Sequence, residues 1–302
     1  MGKKKAALIL ALCLGSFICR SQTMDVVDTA AVKKWSFNGV GAFNFSQVAL
    51  SNWNGGGQSA VSGTSLLNLN LNRVGKRTSF TNILNLAYGL QRLEGQNTRK
   101  TDDKIDFLST YGVAAFNKWY YTSSINFRSQ FAPGFNFPND SVRISNWLAP
   151  GYLTGSIGLE NKVSDQFTIF ISPVTAKYTI VRDSALSAQG AFGVDPGRML
   201  REEYGGSFRM NLTSKVMENV SFTTQLDLFS NYSENPQNVD VNWTTLVTFK
   251  VNKYINTSIS TTLVYDDDVV IKQDKNNDGA LEVNGPRTQF KEIFNFGLQY
   301  KF

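Results

Sequence analysis

The chain has 302 residues and a formal net charge of +6, and 42% of its residues are hydrophobic and 13% aromatic. This length is sufficient for one large domain. The sequence contains no histidine, which excludes Ser–His and Asp–His catalysis as well as histidine-ligated zinc. Its cysteines, Cys13 and Cys19, both lie close to the N-terminus. We therefore do not expect an enzyme.

Residues 1–21 have the three parts of a secretory signal peptide. Lys3–Lys5 precede an apolar run from Ala6 to Ile18, and polar residues follow from Arg20 onward. The run is shorter than the ~20 residues that a transmembrane helix needs. Cys19 permits a lipoprotein alternative, although the bulky residue before it does not resemble that signal. Cleavage would remove both cysteines and four basic residues, which lowers the net charge from +6 to +2, so no nucleic-acid partner is expected.

Beyond a polar tail at residues 22–34, which we expect to be periplasmic, apolar and polar side chains alternate along the chain. Because strand side chains point alternately to opposite faces, this alternation predicts strands with one apolar face. The first predicted strand begins at Trp35, and the second sets Leu67, Leu69 and Leu71 against asparagines. Further predicted strands begin near Phe80, Ile105, Trp119, Trp147, Phe167, Tyr204, Val220, Val241, Ile255 and Thr288.

Long polar loops and short turns alternate between these strands, and the last strand ends on the aromatic Phe302. An even number of about twelve strands with this alternation is typical of a bacterial outer-membrane barrel, with periplasmic termini and extracellular long loops. Aromatic residues such as Trp35 and Tyr300 at one end, and Tyr88 and Trp243 at the other, predict two interfacial girdles. We predict an all-β, transmembrane antiparallel up-and-down barrel over residues 35–302. A secreted β-sandwich is the alternative, but it would leave the last strand as an apolar edge.

The predicted inner face of the barrel is polar and carries charges of both signs. If the lumen is filled with water, such charges set the solute preference of a channel. The channel-lining candidates are Asp106, Arg128, Glu160, Arg209, Asp227, Lys250 and Lys291, with Arg182 and Glu203 on the same face. These charges would instead fill the lumen if they paired with one another, because barrels of this size lie between filled and open ones. We therefore predict a narrow passive channel for small polar or charged solutes, with a non-conducting structural or docking barrel in an envelope complex as the alternative.

The last long loop contains half of a calcium-binding signature. Asp274, Asn276 and Asp278 occupy positions one, three and five, a glycine occupies position six, and Glu282 occupies position nine. Position twelve is Gly285, where the motif requires a bidentate glutamate. The motif predicts Ca²⁺ as the one candidate cofactor, against the alternative of a solvated turn. In the first loop, Trp53 beside Gly55–Gly57 predicts a sugar-stacking site or a constriction at the barrel mouth, against the alternative of an ordinary loop with an interfacial tryptophan.

Three segments carry a family resemblance. The segment from Phe45 to Trp53 with the glycines that follow it, and the closing segments Arg287–Glu292 and Gly297–Phe302, resemble a family of Bacteroidota proteins. That family is catalogued as a domain of unknown function (DUF3078-like) and is regarded as outer-membrane β-barrels. The resemblance implies the fold and the location, and it implies no catalytic or binding residues. From the predicted barrel itself, the expected partners are outer-membrane lipid and either a small polar solute or an envelope protein.

Overall fold

The structure of the protein is a computed structural model, which describes residues 35–50, 58–136, 141–164, 166–273 and 282–302. Most of the described chain is β-strand. The barrel strands are β1 (Ser36–Val48), β2 (Ala60–Val74), β3 (Thr78–Leu93), β4 (Arg99–Ala114), β5 (Trp119–Ser129), β8 (Gly151–Ser164), β9 (Phe167–Ile180), β10 (Leu200–Met217), β11 (Val220–Asn231), β12 (Val239–Lys250), β13 (Ile255–Tyr265) and β16 (Gln289–Lys301). Two small hairpins lie outside the barrel wall, β6 (Gly134–Phe135) with β7 (Arg143–Ser145), and β14 (Val270–Gln273) with β15 (Glu282–Pro286).

These twelve strands form a closed antiparallel barrel in which each strand pairs with its neighbours along the chain. The last strand, β16, pairs with β13 on one side and with β1 on the other, which closes the sheet. The predicted fold class, a closed all-β barrel of about twelve strands, is confirmed. Residues 1–34, which contain the predicted signal peptide and tail, and the loop around Trp53 lie outside the described residues.

The distribution of side chains is inverted relative to that of a water-soluble domain. Large apolar side chains cover the outside, where Phe294 and Tyr300 are 66% and 64% exposed. Hydroxyl and amide side chains such as Thr122, Ser124 and Asn126 are buried inside. Since soluble proteins bury their apolar residues, the alternating sequence pattern has placed its apolar face outward and its polar face in the lumen.

The two ends of the barrel differ, as the loop lengths predicted. The short-turn end carries the tight connections such as 75–77 and 218–219, together with Ser36 and Lys301 at the outer ends of β1 and β16. The long-loop end carries the long connections, including 130–150 and 181–199. The loop 181–199 contains a short helix, α1 (Ser184–Ala188), and a 3-10 turn (Ala191–Gly193). In the described parts of the chain, no helix is long and apolar enough to cross a membrane.

Several strand boundaries differ from the sequence prediction. Residues 99–104, which precede the predicted strand start at Ile105, form the start of β4 and pair with β3. Strand β8 begins at Gly151 rather than at Trp147, because Asn146 and Ala149 exchange backbone hydrogen bonds of 2.8 and 2.9 Å in a turn. Strand β12 begins at Val239, before the predicted start at Val241. In each case cross-strand pairing or a local turn outweighs the polarity of the residues.

A bulge in β9 changes which side chains of that strand face the lumen. The pairing of β9 with both neighbours shifts at Ser172–Val174, around Pro173, which has no backbone N–H to donate. Before the bulge Ile171 faces outward, and after it Val174 does. As a result Lys177 points into the lumen, where it pairs with Glu203.

Candidate functional site

The middle of the lumen is crossed by a network of two arginines and two aspartates. The Arg128 guanidinium lies 2.8 Å from an Asp227 oxygen, and Arg209 donates to the other Asp227 oxygen at 2.6 Å. Asp106 lies 3.7 Å from the Nε of Arg128 and accepts a hydrogen bond of 2.9 Å from Asn126. We call these four charged residues, Asp106, Arg128, Arg209 and Asp227, the crossing network.

The Arg128–Asp227 contact is a chord across the barrel rather than a contact along its wall. Arg128 belongs to β5 and Asp227 to β11, and three strands lie between these two in the barrel. Neighbouring strands are ~4.8 Å apart, so four strand spacings amount to roughly 19 Å along the wall. The two side chains bridge this separation through the lumen and narrow it at this level.

A second charged group lies nearer the long-loop end. Lys177 is within 3.3 Å of Glu203, 2.6 Å of Asp240 and 3.4 Å of Asp266. Arg201 bridges Glu203, at 3.1 Å, and Asp268. Glu203 is buried to 2% exposure. A buried carboxylate is tolerated only when it is paired, and Lys177 and Arg201 fulfil that need for Glu203.

A cavity of about 1100 Å³, which we call the vestibule, extends from the crossing network past the second charged group to the long loops, and Lys177, Asp240 and Asp266 line it. Arg128, Arg209 and Asp227 line one end of it, so the crossing network forms its floor. Apolar side chains of the 181–199 loop, including Leu186 and Val194, line the other end. The vestibule therefore combines an apolar roof with a charged floor.

We call the 181–199 loop the lid loop. The carboxylate of Asp183 anchors this loop as the roof of the vestibule. Asp183 caps α1 by accepting from the N–H groups of Ala185 and Leu186, and it accepts from Arg143 at 2.6 Å and from Asn146 at 3.0 Å. Burial raises the pKa of the Asp183 carboxyl, but these hydrogen bonds and the charge of Arg143 offset that effect, so its pKa lies below the ordinary value. Leu186 and Val194 pack with Ala149 and Val181 in a small apolar core beneath the loop.

The other sequence-predicted residues lie apart from the crossing network. Glu160 is 3.9 Å from Lys162 near the short-turn end, and Lys291 on β16 reaches Asp102 on β4 at 2.7 Å. Lys250 is exposed at the short-turn end, in a cleft beside the last strand. Arg182 follows the end of β9 and is exposed in the lid loop. Of the seven predicted lining residues, Asp106, Arg128, Arg209 and Asp227 are thus brought together.

The predicted calcium ligands cannot be placed in the same way. Asp274, Asn276 and Asp278 lie outside the described residues, and of Glu282 only the backbone, in β15, is described. Elsewhere in the described ranges, no three Asp, Glu, Cys or His side chains are grouped so as to hold a metal ion. Calcium binding by this loop stays a prediction.

Residues 45–135 match the model of a family described as "Protein of unknown function (DUF3078)". The matched segment runs from β1 to β6 and includes the Phe45–Trp53 motif of the resemblance, whereas the closing motifs at residues 287–302 lie beyond it. No curated protein matches the chain.

Several solved barrels are similar to this chain at low identity. The COG4313 outer membrane channel from Pseudomonas putida F1 is 13% identical, with a TM-score of 0.39, covering 92% of this chain and 99% of that one. The NanC porin is 10% identical, with a TM-score of 0.38, covering 88% and 100%. The translocator domain of autotransporter NalP from Neisseria meningitidis is 9% identical, with a TM-score of 0.32, covering 89% and 88%.

The sequence analysis did not identify Lys177 and Arg201, the cations of the second charged group. By simple alternation from Phe167, Ile169 and Ile171, the odd-numbered Lys177 faces outward, and only the bulge beside Pro173 turns it inward. A proline within an otherwise regular strand is the signal for such a bulge. Arg201, and the acidic Asp240 of the same group, were missed because they precede the predicted strand starts at Tyr204 and Val241, although β10 and β12 include them.

Proposed function

We propose that the protein is an outer-membrane channel of a Gram-negative bacterium, which passes small polar or charged solutes through a narrow lumen. The family resemblance adds the Bacteroidota as the proposed source. The exposed apolar exterior of a closed barrel supports the membrane location, since closure satisfies every strand edge within the hydrocarbon. In the orientation that is usual for outer-membrane barrels, the termini and short turns face the periplasm and the long loops face the outside of the cell.

The observation that carries the proposal is the vestibule above the crossing network. A solute entering from the long-loop end reaches a cavity of about 1100 Å³ whose floor is lined by Arg128, Arg209 and Asp227. Charged side chains at a constriction determine which solutes pass and how fast. The crossing network is therefore the proposed selectivity constriction.

Planar-bilayer recordings of the purified protein test this function. The wild-type protein is expected to give small single-channel conductances, because the Arg128–Asp227 chord narrows the lumen. Arg128→Ala removes the chord and is expected to raise the conductance severalfold. Arg198→Ala, which removes an exposed side chain 3.8 Å from Asp195 in the lid loop, serves as the control and is expected to conduct as the wild type does.

The alternative is a non-conducting docking barrel. The Arg128–Asp227 contact favours it, because that contact spans the lumen. Folding of each variant is checked by its heat-dependent shift in gel mobility. If folded wild-type protein and the folded Arg128→Ala variant both fail to conduct, the channel proposal is wrong. A stoichiometric protein partner recovered from solubilised membranes would then identify the docking function.

A further inference from the structure

The short-turn end of the barrel is ringed by exposed cations. They come from three of the short connections and from the ends of the neighbouring strands, and they are Arg73, Lys76, Arg77, Lys118, Lys215, Lys250, Lys253 and Lys301. Among the described residues of this end, Glu218 is the exposed carboxylate that stands against them. The opposite end carries Asp240 and Asp266–Asp268 among its charges. The described residues of the short-turn end therefore carry an excess of exposed positive charge.

These cations lie at the level of an outward-facing aromatic girdle. Trp35, Tyr254 and Tyr300 are exposed at this end of the wall. The Arg73 guanidinium lies 5.6 Å from the centre of the Trp35 ring, and the Lys253 ammonium lies 4.8 Å from the centre of the Tyr254 ring. Interfacial aromatic residues mark the headgroup region of a bilayer. Cations in contact with them are placed at the depth of lipid phosphates.

One part of this ring forms a cleft of about 290 Å³, which we call the rim cleft. Its lining consists of Lys250, Lys253, Tyr254, Gln299, Tyr300 and Lys301. The Gln299 N–H donates to the Tyr254 carbonyl at 2.7 Å, which fixes the last strand against the β12–β13 turn. Three lysines thus share a cleft whose lining holds no carboxylate.

The lysines of the rim cleft have no anionic partner within the described part of the protein. None of the ion pairs of the described residues includes Lys250, Lys253 or Lys301. Like charges placed together repel one another unless an anion neutralises them. Tyrosine rings on the lipid-facing side of the same cleft make a membrane lipid, rather than a soluble polyanion, the anion within reach.

We propose that the rim cleft binds the phosphate of an anionic phospholipid in the leaflet at the short-turn end, with the lysines on the headgroup and Tyr254 and Tyr300 against the start of the acyl chains. This proposal rests on the membrane location in the proposed function and does not depend on conduction. It defines a lipid site at the short-turn rim of the barrel, separate from the vestibule and the crossing network.

The test titrates the full-length mature protein in non-ionic detergent with short-chain phosphatidylglycerol and follows binding by native mass spectrometry and by thermal stabilisation. The variant replaces Lys250, Lys253 and Lys301 together with glutamine. Each lysine near an anionic lipid surface contributes a factor of about five in affinity, so the variant is expected to lose on the order of 100-fold. Short-chain phosphatidylcholine and inorganic phosphate are run in parallel and are expected to bind the wild type much more weakly.

Two further variants distinguish the rim cleft from general charge. Substituting Arg73, Lys76 and Arg77 with glutamine removes the same charge from the same rim and is expected to leave phosphatidylglycerol binding within about twofold of wild type. Replacing the three cleft lysines with arginine keeps the charge and is expected to retain binding, which controls for folding.

Several results would overturn the lipid site. These are equal loss of phosphatidylglycerol binding in both glutamine variants, unchanged binding in the cleft variant, or inorganic phosphate binding as tightly as the lipid. If the wild-type protein binds the lipid, but neither it nor the folded Arg128→Ala variant conducts, the channel is contradicted and the lipid site at the rim cleft is retained. The two proposals therefore fail separately.

Discussion

Among the described residues, Lys177 is a lumen cation that lies within ion-pair distance of three carboxylates. Its side chain is 13% exposed and contacts carboxylates from Glu203, Asp240 and Asp266, each of which belongs to a different part of the chain. Removing one member of a buried ion pair is costly because the remaining charge is left without compensation. Through these ion pairs, the Lys177 ammonium connects the barrel wall at β9–β10 with the wall at β12–β13.

Substituting Lys177 with methionine is expected to destabilise the barrel by about 3 kcal/mol or more, because three carboxylates lose their shared cation. Methionine keeps most of the length of the side chain, so the loss reports charge rather than packing. The measurement is urea unfolding of protein reconstituted in lipid vesicles, followed by tryptophan fluorescence.

Lys291→Met is the matched control. Lys291 also points into the lumen, but its side chain is 49% exposed and pairs with Asp102 alone at 2.7 Å. Exposed pairs contribute about 0–1 kcal/mol, so this variant is expected to unfold close to wild type. Equal destabilisation by both substitutions would contradict the special role assigned to Lys177.

The elements differ in how well the sequence predicted them. Period-two alternation identified each barrel strand, because in this barrel the apolar face of a strand meets the exterior along its whole length. Alternation failed at β9, where the bulge at Ser172–Val174 exchanges the inner and outer faces. It also carried no information about the lid loop, whose fold depends on Asp183 meeting Arg143, a residue 40 positions away in the sequence.

The lid loop is expected to loosen when Asp183 is replaced with alanine. The substitution removes the cap of α1 and the contacts to Arg143 and Asn146. Loss of a helix cap alone costs about 1 kcal/mol. Hydrogen exchange corrected for intrinsic rates is therefore expected to show at least about fivefold lower protection over residues 184–199.

The same carboxyl gives the lid loop a defined dependence on pH. Because the folded protein lowers the pKa of Asp183, its ionised form stabilises the loop at pH values above the ordinary aspartate pKa of about 3.9. This contribution is lost as the pH falls through the lowered pKa. Protection of the loop is expected to be constant from pH 7 to about pH 4 and to decrease below that.

Asp195→Ala provides the comparison within the same loop. Asp195 is largely exposed and lies 3.8 Å from Arg198, an arrangement that contributes little. We expect its protection pattern to match that of the wild type at every pH. A loop that exchanges alike in all three proteins would show that Asp183 does not anchor it.

For the whole molecule, closure depends on a short contact between the first and last strands. Strands β1 and β16 are paired from Val40 with Lys301 to Asn44 with Gly297, and Gly39 and Phe302 exchange backbone hydrogen bonds of 2.8 and 3.0 Å beyond that. The pairing of β2 with β3, in contrast, extends from Ala60 to Val74. The apolar alternation of β16 predicted closure from the sequence, but the length of the pairing depends on register, which alternation does not determine.

Gly297 is the position at which this closure is most sensitive to a side chain. A Cβ atom there would lie 2.5 Å from the Phe43 carbonyl oxygen and 2.9 Å from the Asn44 Cα, so the opposing backbone would have to move. Such overpacking costs about 1–3 kcal/mol. Gly297→Ala is therefore expected to lower the temperature at which the folded form disappears on unboiled gels, and to do so for the whole barrel at once, because opening β1 from β16 exposes backbone groups of both strands to lipid.

Gly41→Ala tests the same pair of strands without the collision, since a Cβ at Gly41 meets nothing within 4 Å. It is expected to leave that temperature unchanged or slightly raised, because alanine restricts the unfolded chain. If both variants lose their folded form at the same temperature, the β1–β16 contact does not limit the stability of the barrel. Contacts elsewhere in the wall must then hold the barrel closed.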